Sequence, residues 1–404
     1  MKKLILFLTI LAYYAAGYAQ PPVLSDSSYI ALLTCSPGEE VYALYGHSAL
    51  RVKDMKNNFD YAFNYGVFDF NKPNFIYRFT KGETDYILGV SETWAFLEQY
   101  RERGSGVVEQ ILNLTDEEKQ KIWSALLENS LPQYREYRYN FLYDNCSTRP
   151  RVIVEKYVSG KIHYPDILPE TTFRKLIHHC NRNNRLLTFG IDLALGAPID
   201  KPIDREMQLF LPEKLMTVFA DAKIADTAGV YRNLIIETVQ LVPEVPIKEE
   251  PRDGNPLLIA WLFFGVILIL SIIELLKKKH FRWVDVILFF IIGLAGCLLV
   301  FLMFISVHPG VCPNYSFIWA HPLHLLLVLL LLIRSLRKIA AYYMGINAII
   351  LFLFMCCWSF FPQDFNPAFF PIVLTMFVRS GVVCFLNAKV LRSKGARITR
   401  ISQI

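Results

Sequence analysis

The chain has no CxxC pair and no cysteine spacing suited to a metal, although it carries eight cysteines in 404 residues. A cysteine-ligated zinc site and a dithiol redox motif are excluded on that ground. Internal repeats and low-complexity tracts are missing too, which excludes a solenoid or a disordered array. Positive charge is short where nucleic acid would need it. Residues 20–255 hold 27 Lys+Arg against 33 Asp+Glu, a net of −6, so no nucleic-acid partner is expected. Acidic residues, in turn, are nearly absent from 256–404, with 3 against 13 basic ones. The formal net charge of +6 therefore belongs to the apolar end of the chain.

What is abundant is apolar sequence. Hydrophobic residues make up 53% and charged ones 19%, with a mean hydropathy of +0.31. This is too apolar for an ordinary soluble protein and too charged for a pure membrane bundle, so a soluble domain joined to a membrane domain is expected. Lys2 and Lys3 precede an apolar run over 4–16 and the small residues Gly17 and Ala19. That pattern predicts a secretory signal peptide over 1–19, and so export of the domain after it. Prolines 243, 246, 251 and 256 among charges mark a linker over 242–256. Five apolar segments come next at 257–276, 284–305, 320–333, 342–361 and 368–388, each near the roughly 20 residues that span a bilayer. The connections at 277–282 and 334–338 and the tail after 388 carry twelve Lys and Arg. The alternate connections, 306–319 and 362–367, carry none. The positive-inside rule then puts the linker and the domain before it outside the cytoplasm. The expected organisation is an extracytoplasmic domain at 20–241, a five-helix membrane domain at 257–390 and a cytoplasmic basic tail at 391–404, in the inner membrane.

The exported domain alternates strand-like stretches (29–35, 46–53, 59–65, 85–90 and 107–114) with helices. One helix follows Glu92, and one starts at Thr115, where Thr115 and Glu118 can form a capping box. Others follow Cys146, Thr171 and Asp204. The pattern suggests an α+β fold with an antiparallel sheet. Cys35 and Cys180 are placed to pair in an oxidising compartment, leaving Cys146 free.

Two segments carry chemistry: Tyr45-Gly46-His47-Ser48 and Tyr143-Asp144-Asn145-Cys146-Ser147-Thr148-Arg149-Pro150. Asp144 or Asn145 can cap a helix starting near Ser147, with Pro150 tolerated in its first turn. A thiol at a helix N-terminus faces the positive end of the dipole, which favours the thiolate. Cys146 with His47 is the minimum for thiol nucleophilic catalysis. The bland alternatives are an inert buried cysteine and a satisfied strand histidine, and spacing alone does not decide between them. Arg149 and Arg151 flank the helix start, where they can meet a phosphate head group or pair with carboxylates. Arg379 sits inside the fifth span, where a charge faces a partner, a polar cavity or a lipid phosphate, or snorkels.

These two segments, with Thr34-Cys35-Ser36-Pro37-Gly38, Asn64-Tyr65-Gly66-Val67-Phe68 and Phe189-Gly190-Ile191-Asp192, resemble the Lnb family of lipoprotein N-acyltransferases from Bacteroides-type bacteria. The resemblance covers nearly the whole chain. It implies a circularly permuted papain-like (NlpC-type) fold followed by an all-α membrane domain. His47 matches the base and Cys146 the nucleophile, with Asn64 preferred over Asp60 and Tyr65 as the third residue. It implies a phospholipid acyl donor and a diacylated lipoprotein acceptor, and a path that needs no metal or organic cofactor. An NlpC-type peptidoglycan peptidase and a non-enzymatic envelope assembly factor or transporter are the alternatives.

Overall fold

The computed structural model describes residues 22–68, 73–226, 228–246 and 253–401, with side chains to 386 in the last helix. The expected signal segment lies outside them, as do the side chains of the basic tail. The chain divides into two compact units that do not follow chain order. One gathers Met1–Pro73, Thr84–Pro169 and Arg205–Ile247, the other Asn74–Glu83, Glu170–Asp204 and Lys248–Ile404.

The first unit is built on a seven-stranded antiparallel sheet: β1 (Ser28–Cys35), β2 (His47–Asp54), β3 (Phe59–Val67), β4 (Asp85–Glu92), β5 (Val107–Leu112), β6 (Glu136–Arg138) and β7 (Ile235–Val242). Their order is β7-β5-β1-β2-β3-β4-β6. Four helices of 10 residues or more accompany it: α1 (Thr93–Glu102), α2 (Asp116–Ser130), α3 (Thr148–Tyr157) and α4 (Pro212–Asp221). β1 is central, and its Ile30-Ala31-Leu32-Leu33 run is wholly buried. A strand covered on both faces reads as continuous apolar sequence rather than as alternation. Side-chain alternation then divides the residues between two cores. Ile30, Leu32, Leu50, Val52 and Phe63 pack with Trp123, Val154 and Phe219 of the helices. Leu33, Cys35, Ala49 and Ala62 pack with Phe96 and Tyr100 of α1. The capping box at α2 forms as the sequence predicts: Thr115 Oγ accepts from the Glu118 N–H, and the Glu118 carboxylate accepts from the Thr115 N–H. Such a cap contributes about 1 kcal/mol.

Among the described residues the second unit carries five helices long and apolar enough to cross a membrane, Pro256–Lys277, Arg282–Phe304, Tyr315–Leu332, Arg334–Cys356 and Phe369–Leu386. The helices proper are α5 (Pro256–Lys277), α6 (Arg282–Phe304), α7 (Leu323–Leu332), α8 (Arg337–Cys356) and α9 (Phe369–Ile401). The third span, short in sequence, gains its length from a 3-10 turn at Tyr315–Ile318 ahead of α7. A Cβ on Gly296 would lie 2.4 Å from the His321 carbonyl carbon, and one on Gly293 would meet Leu325 at 2.7 Å. Glycines one turn apart thus let α6 approach the start of α7 at backbone distance, as small residues do in membrane bundles. Outside the spans, Arg174 is buried and bonds Asp192 and Asp200 at 2.7 and 2.6 Å. The chain is therefore a mixed α/β domain followed by a helical region with five candidate membrane spans. The strand at Ile235–Val242 runs up to the proline-rich linker, whose composition hid it. No disulfide joins Cys35 to Cys180, the pairing weighed from the sequence.

Candidate active site

Gly46 ends the loop before β2 with a φ of +71°, where a Cβ would lie 2.7 Å from the Cys35 carbonyl oxygen. That left-handed glycine delivers His47 as the first residue of the strand, directly opposite Cys35 in the β1–β2 register. On the next strand, Asn64 Oδ1 lies 2.5 Å from His47 Nε2. Two residues on, a register shift in the β3–β4 pairing brackets Gly66, with a φ of +115°. A Cβ there would stand 3.4 Å from His47 Cε1 and 3.6 Å from Cys146 Cβ. The bulge lets the strand pass beside both groups, a recurrent use of bulges near reactive sites.

Cys146 comes from the turn into α3. Asn140 and Asp144 exchange backbone hydrogen bonds of 2.9 Å to close that turn. The Asn145 oxygen then accepts the N–H groups of Ser147 and Thr148 at 2.8 and 2.9 Å. Its amide donates to the carbonyls of Phe141 and Phe210 at 2.8 and 2.9 Å. All four hydrogen-bonding positions of Asn145 are filled, so the cap expected from either Asp144 or Asn145 is made by Asn145. This fixes Cys146, itself almost fully buried, against the His47 end of β2.

Burial alone would push the Cys146 thiol up. The charge and hydrogen bond of His47, with the backbone N–H groups of Ser48 and of Cys146 itself, bring it below the ordinary thiol range. Burial would likewise lower His47, but the Cys146 charge and hydrogen bond, with the bond to Asn64, hold the imidazole above its usual value. Opposite shifts on adjacent groups favour a thiolate–imidazolium pair. Cys35 is the internal control. It is equally buried and opposite the same histidine, yet burial pushes its thiol up and its hydrogen-bond partner is Tyr100. The Tyr100 ring stacks on His47 with centroids 6.4 Å apart.

Asp60 and Tyr65, the other candidates for a third residue, have different partners. Arg51 Nε donates to Asp60 Oδ1 at 2.7 Å, and the Tyr65 hydroxyl accepts from Asn129 at 2.9 Å. The three arginines for which the sequence left a phosphate contact open have carboxylate partners. Arg149 makes a two-pronged pair with Asp144 at 2.6 and 2.7 Å and lies 3.5 Å over the Tyr137 ring. Arg151 bonds Glu206 at 2.7 Å. Arg379 is buried among Asp285, Glu274 and Ser271. These carboxylate pairs are the structural reading that the sequence also left open for each arginine. Gly66, Tyr100 and the Ser48 N–H were not singled out from sequence. Gly66 and Ser48 appeared there only as members of the Asn64–Phe68 and Tyr45–Ser48 stretches.

The curated proteins and the solved structures compared with this chain gave no match. Two family models match: the Lnb N-terminal periplasmic domain over residues 20–179 and the Lnb transmembrane domain over 248–390. Together they take in most of the chain, which belongs to the Lnb-type lipoprotein N-acyltransferase family and is a multi-pass membrane protein with an N-terminal periplasmic domain.

Proposed function

We propose that this protein moves an acyl chain from a membrane phospholipid to the α-amino group of a diacylated lipoprotein's N-terminal cysteine, through a thioester on Cys146. The observation that carries the proposal is the pairing of a depressed thiol, Cys146, with a raised imidazole, His47, itself bonded to Asn64. The thiolate attacks an ester carbonyl of the phospholipid, and the C–S bond forms. As the tetrahedral intermediate collapses, His47 gives its proton to the departing lysophospholipid oxygen. The lipoprotein amine then attacks the thioester, His47 takes the amine proton, and the thiolate is released as the amide forms. The N–H groups of Ser48 and Cys146, both turned to the sulfur, are donors for the developing oxyanion. Water is scarce around so buried a sulfur, which favours aminolysis over hydrolysis. In this proposal a permuted papain-like domain over 20–241 works outside the cytoplasm, joined through 242–256 to spans in the inner membrane. Cys146, His47 and Asn64 form its triad.

The test is mass spectrometry of the full-length protein purified without an amine acceptor. Cys146 should be heavier by one fatty acyl chain, and neutral hydroxylamine should remove that mass. A diacylated lipopeptide with a free α-amine should discharge the enzyme, and its N-acetylated form should not. Labelling of Cys146 by a muropeptide but never by phospholipid would replace this reading with a peptidase, and a fully active Cys146→Ala protein would end it.

A further inference from the structure

Because the family places the N-terminal domain in the periplasm, α5 enters the membrane from that side. The α5–α6 and α7–α8 connections therefore lie on the cytoplasmic side. There a cavity of about 420 Å³ is bounded by Lys279, His280, Arg282, Trp283, Leu331 and Arg337. The described residues lining it include no carboxylate.

Two helices start at this cavity, α6 at Arg282 and α8 at Arg337, and both starts are unusual. Their N-cap residues, Phe281 and Leu336, make no side-chain capping bond. The first N–H groups of a helix and its dipole present positive potential, so a cation at that end is disfavoured. Here both helices begin with an arginine. Among the described residues the buried Nε of each guanidinium has no hydrogen-bond partner. The nearby carboxylates are engaged elsewhere. Asp285 accepts from His280 at 2.6 Å and holds Arg379 at 2.7 and 2.9 Å. Glu274 accepts from Arg379 at 3.1 Å and from the Phe281 N–H at 2.8 Å. The cavity thus gathers cations and two orphaned guanidinium donors around a lining that holds no carboxylate.

We propose that this cavity binds the phosphate of an anionic phospholipid from the cytoplasmic leaflet, at a site separate from the thiol chemistry. Two guanidiniums, each with an unpartnered Nε–H, suit a phosphate's several oxygens. Lipid rather than free phosphate is favoured by the apolar part of the wall. Leu331 and the exposed Trp283, whose ring lies 5.8 Å from the Arg282 guanidinium, offer cover to acyl chains at the depth where tryptophan prefers to sit. Basic pockets between membrane helices on the cytoplasmic side are a recurring form of such recognition.

The test uses the full-length protein in vesicles of phosphatidylcholine, with or without phosphatidylglycerol. Native mass spectrometry should show phosphatidylglycerol retained in preference to phosphatidylcholine, and thermal unfolding should move upward with it. Arg282→Gln with Arg337→Gln should retain it roughly tenfold or more weakly. Arg282→Lys with Arg337→Lys, which keeps the charge, should hold most of it. Inorganic phosphate added to phosphatidylcholine vesicles should not reproduce the shift, and an equal shift would overturn the lipid assignment. Equal retention of both lipids by the unaltered protein would overturn the site itself, whether or not the Gln variant folds.

Discussion

The amide oxygen of Asn64 stands 2.5 Å from Nε2 of His47. A carbonyl oxygen only accepts, so Nε2 carries the proton and Nδ1 is left for the hydrogen bond with Cys146. Asn64 thereby sets both tautomer and ring orientation. Asn64→Ala should lower kcat for acyl transfer roughly 10- to 100-fold, the usual effect of losing a group that orients a functional histidine. KM for the phospholipid should change little. His47→Ala removes the proton carrier itself and should lose about 10²- to 10⁴-fold. Steady-state transfer to a diacylated lipopeptide measures both. An Asn64→Ala enzyme with wild-type kcat would take Asn64 out of the site.

Gly66 tests the bulge. Its φ of +115° lies where an L-residue is strained, although a Cβ would find ordinary contact distances of 3.4 and 3.6 Å. Gly66→Ala should therefore act through backbone strain of about 1–3 kcal/mol rather than through a clash. Thermal unfolding should drop by several degrees, and the thiol should lose reactivity as β3 shifts beside it. Unchanged unfolding and unchanged alkylation would mean that the strand can flatten there without penalty.

The pair of shifts fixes a sign for pH. The thiol is depressed, so its thiolate is present at lower pH than an ordinary cysteine near 8.5 allows. The imidazole is raised, so its proton stays on to higher pH. Alkylation of Cys146 by iodoacetamide should begin below the ordinary thiol range. In His47→Ala the burial that raises the thiol remains while the charge that lowers it is gone. The onset should then move to higher pH, against the backbone N–H groups of Ser48 and Cys146 that still favour the thiolate. Superimposable profiles for the two proteins would show that His47 does not control the thiol.

The organisation of the chain was legible because its signals are local. Hydropathy and loop charge outlined the five spans, strand patterns outlined β1 to β5, and the Thr115–Glu118 spacing announced its own cap. The surroundings of the site were legible only in part. Asn145 advertises a cap through its place before Ser147, but its bond to Phe210 depends on a segment 65 residues later. Tyr100 carried no site signal in the sequence, and it reaches His47 only because α1 packs on that face of the sheet. Cys35 and Cys180 illustrate the opposite failure: cysteine count in an exported domain invites a bridge that the fold does not make. The arginines stayed open between two readings for a common reason. A sequence shows a cation but not the carboxylate that folding brings to it, as Asp144 to Arg149, or Asp285, 94 residues away, to Arg379.

Arg379 gives the last prediction. Its guanidinium is wholly buried and bonds Asp285 at 2.7 and 2.9 Å, Glu274 at 3.1 Å and Ser271 at 3.0 Å, tying α9 to α5 and α6. Had it served as a lipid-phosphate contact, Arg379→Leu would leave folding intact and weaken only substrate binding. With these partners, Arg379→Leu leaves two buried carboxylates without their counter-charge, an arrangement that costs about 3–5 kcal/mol when one partner of a buried pair is removed. Arg379→Lys should rescue little, because an ammonium lacks the planar fork that meets two carboxylates at once. Neutralising the acids as well, in Arg379→Met with Glu274→Gln and Asp285→Asn, removes the uncompensated charge and should recover most of the stability. Thermal unfolding of the detergent-solubilised full chain, followed by size-exclusion chromatography, reads all three variants. A single Arg379→Leu protein as stable as wild type, or a triple variant no better than the single one, would show that the cluster does not hold these helices together through its charges.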